Sequence, residues 1–213
     1  MKILSIHVGR PREVTWQDKT VLTSIFKDPV QGPVAVRTTN LDGDEQSDLS
    51  VHGGRSKAVY VYPSEHYPWW QQELPGVKLP WGVFGENLTV TGLLETAMHI
   101  GDRLRAGSAE FIITQPRMPC FKLGIRFNDP GMVQRFQDSR RNGFYLAVEK
   151  EGTVRVGDAI EVIARDPHAM SVALVAELYT SQHADPDLLQ RVSELPALPE
   201  RWRERFRARV SRV

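Results

Sequence analysis

The stretch AEFIITQPRMPCFKLG, residues 109–124, changes character at its midpoint. Residues 109–115 carry the apolar, β-branched texture of a strand. Pro116 and Pro119 then remove two backbone donors and hold the chain extended, so a regular central strand cannot continue. Cys120 is therefore expected at a strand exit, with its side chain toward a cavity. It is the only cysteine in 213 residues.

Outward from this segment the strand texture repeats. Residues 2–9, 20–30, 57–63, 85–92, 102–107, 143–152 and 158–164 read as strands, and 32–41 alternates apolar and polar residues as a half-buried strand does. Many short strands separated by Gly and Pro turns predict a mainly β, barrel-like body with short peripheral helices. Two helices interrupt it: 64–74, with Ser64 as its N-cap, and 129–141, with Asp129 as cap and Pro130 in the first turn. The texture changes after residue 165. Residues 171–182, 185–195 and 198–210 read as three short helices, each marginal alone and in need of docking. The expected division is a β-barrel domain over 1–165 and a three-helix subdomain over 166–213.

Composition narrows the function. Hydrophobic residues make up 41% and charged residues 25%, with a net charge of +1. That balance describes a globular chain long enough to bury a core, with no bulk attraction to nucleic acid or anionic membrane. No run approaches a membrane span, and the apolar run after Met1-Lys2 is too short for a signal peptide. The expected compartment is the cytoplasm, where one free thiol is at home.

One reading of Cys120 is a small buried hydrophobe. The other is chemical: Arg117 and Lys122 favour thiolate, which is both a nucleophile and a soft metal ligand. A single cysteine excludes a cysteine-held zinc or iron–sulfur site. It leaves a nucleophile, a redox thiol or one protein ligand to a metal carried by a cofactor. Two further stretches join it. In SDLSVHGGRSKAVYVY (47–62), Gly53-Gly54 with Arg55 and Lys57 forms a basic turn suited to phosphate, beside His52; it can equally be a solvated surface turn. No P-loop or dinucleotide fingerprint is present. In PWGVFGENLTV (80–90), the Asn87 amide can read a heterocycle edge or close its own turn.

The stretches SVHGGRSKAVYVYPSEHYPWW, FGENLTV and QPRMPCFKLG, in that order and with this tail, resemble the MOSC domain family, in its small stand-alone bacterial branch associated with hydroxylaminopurine resistance. The resemblance implies a molybdenum cofactor (molybdopterin) with Cys120 as the protein ligand to the metal, and Arg55, Lys57, Asn87 and Arg117 around the cofactor. It also implies reduction of N-hydroxylated compounds such as base analogues and amidoximes. One soft thiolate would complete a three-sulfur set with the two dithiolene sulfurs. His52 is the candidate proton donor. Electrons would come from an external reductase such as a flavoprotein. The arginine-rich last helix could dock it, or could simply be a solvated face. Two other readings stay open. Cys120 could be the nucleophile of a hydrolase or transferase, with His52 or His66 as base. It could also carry sulfur or cofactor without catalysis.

Overall fold

The computed structural model describes residues 1–47 and 53–211. Among the described residues twelve strands are formed: β1 (Lys2–Val8), β2 (Arg12–Trp16), β3 (Lys19–Thr23), β4 (Asp28–Pro29), β5 (Val34–Val36), β6 (Val59–Pro63), β7 (Leu88–Thr91), β8 (Arg103–Ala106), β9 (Ala109–Pro116), β10 (Phe144–Lys150), β11 (Gly152–Val154) and β12 (Ile160–Ala164). Eight of them make one sheet in the order β12-β8-β9-β10-β6-β7-β1-β4, antiparallel except for the parallel pair β6–β7.

The expected barrel does not close. One isolated bridge, Lys2 to Ala159, brings the start of β1 to the residues leading into β12, and Ile160 donates to the Met1 carbonyl at 3.0 Å. No ladder follows among the described residues. The register of β1 shifts between Ile3 and Ser5, and its far end turns to pair with β4. The result is a curled mixed sheet with short helices.

β6 explains how the sheet is clad. Its sequence VYVYP alternates, yet every residue is buried. Val59 and Val61 enter the larger apolar core, with Ile113, Phe144 and Leu146. Tyr60 and Tyr62 enter an aromatic core with Trp70, Phe84 and Phe136. A period of two with both faces covered marks a central strand. Tyr62 is the hub of the aromatic side: its hydroxyl accepts from Trp70 Nε1 at 2.7 Å, and its ring lies 4.7 Å from Phe84. At the entry to β10, Gly143 has φ +62°, and a Cβ there would lie 2.4 Å from the Val61 carbonyl oxygen. Only glycine lets β10 start this close to β6.

The helices are α1 (Tyr67–Glu73), α2 (Phe121–Phe127), α3 (Met132–Ser139), α4 (Val172–Thr180), α5 (Pro186–Ser193) and α6 (Glu200–Val210). Ser64 opens a 3-10 turn rather than capping α1, whose N-cap is His66 with no side-chain bond. Asp129 lies outside α3; Gly131 is the cap, and its N–H donates to Asp129 Oδ1 at 2.8 Å. Asp185 caps α5 as expected, accepting from Asp187 N at 2.8 Å, with Pro186 in the first turn. Helix α2 is new: the chain stays extended through Cys120 (φ −130°, ψ 171°) and then coils at once. The expected strand 20–30 is instead the second arm of a β2–β3 hairpin, turned by Gln17 and Asp18 at positive φ, followed by the short β4.

The last three helices do not build a core of their own. Val172, Val175, Leu189, Val192, Trp202 and Phe206 join the same apolar cluster as the sheet. Asp102, fully buried before β8, ties the connection down: it accepts from Asp166 N at 3.0 Å and from Arg165 Nη1 at 2.6 Å.

His7 on β1 is buried, with Gly82 (φ +85°) packed against its ring. Burial holds its imidazole below the ordinary value, against the opposing pull of Glu86. The unfolded chain therefore takes up a proton as pH falls through about 6.5, while the folded chain resists it. Stability is full above that range and declines below it. Urea midpoints at pH 7.5 and pH 5.5 should show this decline, and His7→Gln should reduce it; an equal decline in the variant would clear His7.

Candidate functional site

Cys120 caps the N-terminal end of α2, four residues beyond the end of β9, half-exposed and without a side-chain capping bond. It lines a cavity of about 110 Å³ whose wall also includes Lys57, Asn87, Arg117 and Lys122. These residues arrive from four places: the turn before β6, the turn before β7, the end of β9 and the first turn of α2. Tyr60 of β6, Tyr145 of β10 and the Asp44–Ser47 loop complete it.

Arg117 is the most informative side chain. It is 5% exposed, its guanidinium lies 4.7 Å over the Phe136 ring and 5.4 Å from that of Tyr60, and its Nη1 has no hydrogen-bond partner among the described residues. Burial opposes its charge, but the phenols of Tyr60 and Tyr145 and the Cys120 sulfur outweigh it and raise its pKa. The site thus holds a permanent buried cation facing a cavity, an arrangement that calls for an anion. Lys57 lies nearby; burial lowers its pKa first and Arg201 lowers it further, while the Cys120 sulfur opposes both. Lys122 donates to Ser47 Oγ at 2.7 Å. Burial raises the pKa of Tyr145, so its hydroxyl keeps its proton.

Asn87 does not close its own turn; its side chain bonds to three distant segments. Its Oδ1 accepts from Tyr60 N at 3.0 Å, and its Nδ2 donates to the His7 carbonyl at 3.2 Å and to Asp44 Oδ2 at 2.9 Å. Both amide protons are spent, so it stitches β1, β6 and the 44–47 loop into the cavity wall rather than reading a heterocycle. Asp44 anchors the same knot, accepting from Gly9 N at 2.8 Å and pairing with Lys27.

Arg55 does not join the group. It sits on the 3-10 turn Arg55–Lys57, exposed, and lines neither cavity beside Cys120. His52 lies outside the described residues. His66, the alternative base, is held by Glu95, Nε2 to Oε2 at 2.8 Å, in a different cleft. No described imidazole shares a cavity with the thiol, which weakens the hydrolase reading. Among the described residues no cluster of three or more His, Cys, Asp or Glu side chains forms a metal site. No described helix is long and apolar enough to cross a membrane.

Sequence reading missed Tyr145 and Asp44. Asp44 lies three residues before the 47–62 stretch and Tyr145 lies outside every quoted motif. The one local signal was Tyr145 falling out of phase with its buried neighbours Phe144 and Leu146.

Residues 48–161 match the family described as MOSC domain, and residues 170–212 match the YiiM-like, 3-alpha helix domain. The uncharacterized protein YflK of Bacillus subtilis (strain 168) is 37% identical over 211 residues, covering 99% of this chain and 95% of that protein. A protein of Gibberella moniliformis named Reductase is 32% identical over 197 residues, 91% of this chain but 35% of that longer protein. The crystal structure of YiiM from Geobacillus stearothermophilus superposes with a TM-score of 0.82 at 32% identity, covering 98% of each chain.

Proposed function

This chain belongs to the MOSC domain family, and from that premise we propose that it is a molybdenum-cofactor-dependent reductase of N-hydroxylated compounds. The observation that carries the reading is the pairing, in one cavity, of the only thiol with a buried guanidinium whose Nη1 has no hydrogen-bond partner among the described residues. A cofactor with an anionic phosphate and a soft metal matches both halves of that donor set. Cys120 would be the protein ligand to the metal, and Arg117, Lys57 and Lys122 would hold the negative charge. Asn87 and Asp44 keep the wall in place.

When bound, the cofactor supplies the two-electron redox change. The reaction balances as R–NHOH plus two electrons and two protons giving R–NH2 and water: the N–O bond breaks, and the oxygen leaves as water. The electrons come from an external reductase such as a flavoprotein. The chain's part is to orient and to manage protons. Tyr145, protonated and on the wall of the cavity, can donate a hydrogen bond to a bound polar group. We assign the second proton-handling role to His52. Residues 166–213 are proposed to act as an appended domain that completes the approach to Cys120.

The test is protein made in cells competent for cofactor synthesis. Molybdenum should co-purify in step with protein, and anaerobic incubation with 6-hydroxylaminopurine and an artificial electron donor should yield adenine. Molybdenum-loaded protein that reduces neither this base nor an amidoxime would overturn the assignment.

A further inference from the structure

Cys120 is reached from two sides. Besides the small cavity, it lines an open cleft of about 650 Å³, together with Lys57 and Tyr145. That volume suits a drug-sized or nucleotide-sized ligand. The opposite wall of the cleft is not part of the sheet: it comes from the C-terminal helices, through Tyr179 of α4 and Arg201, Trp202 and Arg205 of α6.

The arginines of α6 divide into two sets. Arg203 and Arg207 pair with Glu200, and Arg209 donates to the carbonyls of Leu178 and Ser181. Arg201 and Arg205 line the cleft, and neither has an ion-pair partner within the described residues. They stand four residues apart, hence on one face of the helix. The charge of Arg201 is felt at Lys57 across the cleft. Glu204 is the one acidic side chain on the cleft wall among the described residues, against three cations. The Arg205 guanidinium is held 4.1 Å over the Tyr179 ring, which packs in turn 4.3 Å from the buried Trp202 ring. Two guanidiniums held on one wall of the cleft fit a phosphate group.

We propose that this cleft admits the substrate, and that the substrate is an N-hydroxylated nucleoside monophosphate held by its phosphate on Arg201 and Arg205, with the hydroxylamino end toward Cys120. The three-helix domain is then a specificity element. The direction of the N–OH group rests on the reductase reading; the phosphate site does not.

Calorimetry on the full chain, purified from cofactor-competent cells, tests it with adenosine monophosphate, adenosine and adenine. The monophosphate should bind at least about tenfold tighter than adenosine, as charge-assisted hydrogen bonds to phosphate imply. The double variant Arg201→Ala/Arg205→Ala should lose that preference, with its melting temperature unchanged because both side chains are exposed. Equal affinities in the wild type, or a preference that survives in the double variant, overturn the proposal. So does a double variant that binds normally but is slowed only with a protein electron donor, which would mark α6 as a docking face instead. A phosphate preference in molybdenum-loaded protein that reduces no N-hydroxylated compound would sink the reductase reading alone.

Discussion

Cys120→Ala should remove reduction of 6-hydroxylaminopurine to background while leaving the fold intact. The loss should exceed the roughly 10–100-fold typical of residues that only support a metal ligand. Two observations separate chemistry from stability here. The thiol makes no side-chain capping bond to α2, and it is half-exposed rather than packed in the core. Truncation therefore leaves no buried group stranded. Molybdenum content should fall with activity. Cys120→Ser should be nearly as inactive, because a hard hydroxyl does not replace a soft thiolate. The melting temperature should stay near that of the wild type in both. Equal turnover by wild type and Cys120→Ala would end the metal-ligand assignment.

Glu86→Ala should be the most damaging single change to the fold. The Glu86 side chain is completely buried in the turn that delivers Asn87 to the cavity. Its Oε1 accepts from Gly82 N at 2.9 Å, from Thr89 Oγ1 at 3.0 Å and from the Tyr67 hydroxyl; its Oε2 accepts from Phe84 N at 3.1 Å. Removing the carboxylate strands four donors at a fully buried position beside the aromatic core. At about 1–3 kcal/mol for each buried donor left unmade, the loss should reach roughly 4 kcal/mol or more. Denaturant unfolding of the purified variant measures it. A loss below about 1 kcal/mol would show that the turn finds other acceptors. Because Asn87 follows directly, surviving folded protein should also retain less cofactor.

How much of this could be read in advance varies from element to element. β9 and the break after it were legible, because Pro116 and Pro119 act locally through a fixed φ and a missing donor. The α5 start was legible for the same reason, in Asp185-Pro186. Helix α2 was not: Phe121–Phe127 carries no start signal beyond a cysteine cap, and it coils because its apolar residues find the aromatic core. The cations Lys57 and Arg117 stand in legible motifs, and both line the cavity. Arg55, two residues from Lys57, points elsewhere, since a 3-10 turn spreads neighbouring side chains to different sides. Asn87 lines the cavity, but its bonding was not legible locally, because its partners His7 and Asp44 lie 80 and 43 residues away.

By itself the sequence determined the strand-rich body, the three terminal helices and the choice of Cys120 as the residue to watch. Those rest on local periodicity, proline geometry and the rarity of one thiol. Only the tertiary structure decided that the sheet stays open, that Arg117 is a buried cation with one unsatisfied nitrogen among the described residues, and that α6 forms a wall beside the thiol. Burial, pairing and facing surfaces are set by residues distant along the chain, and no local pattern encodes them.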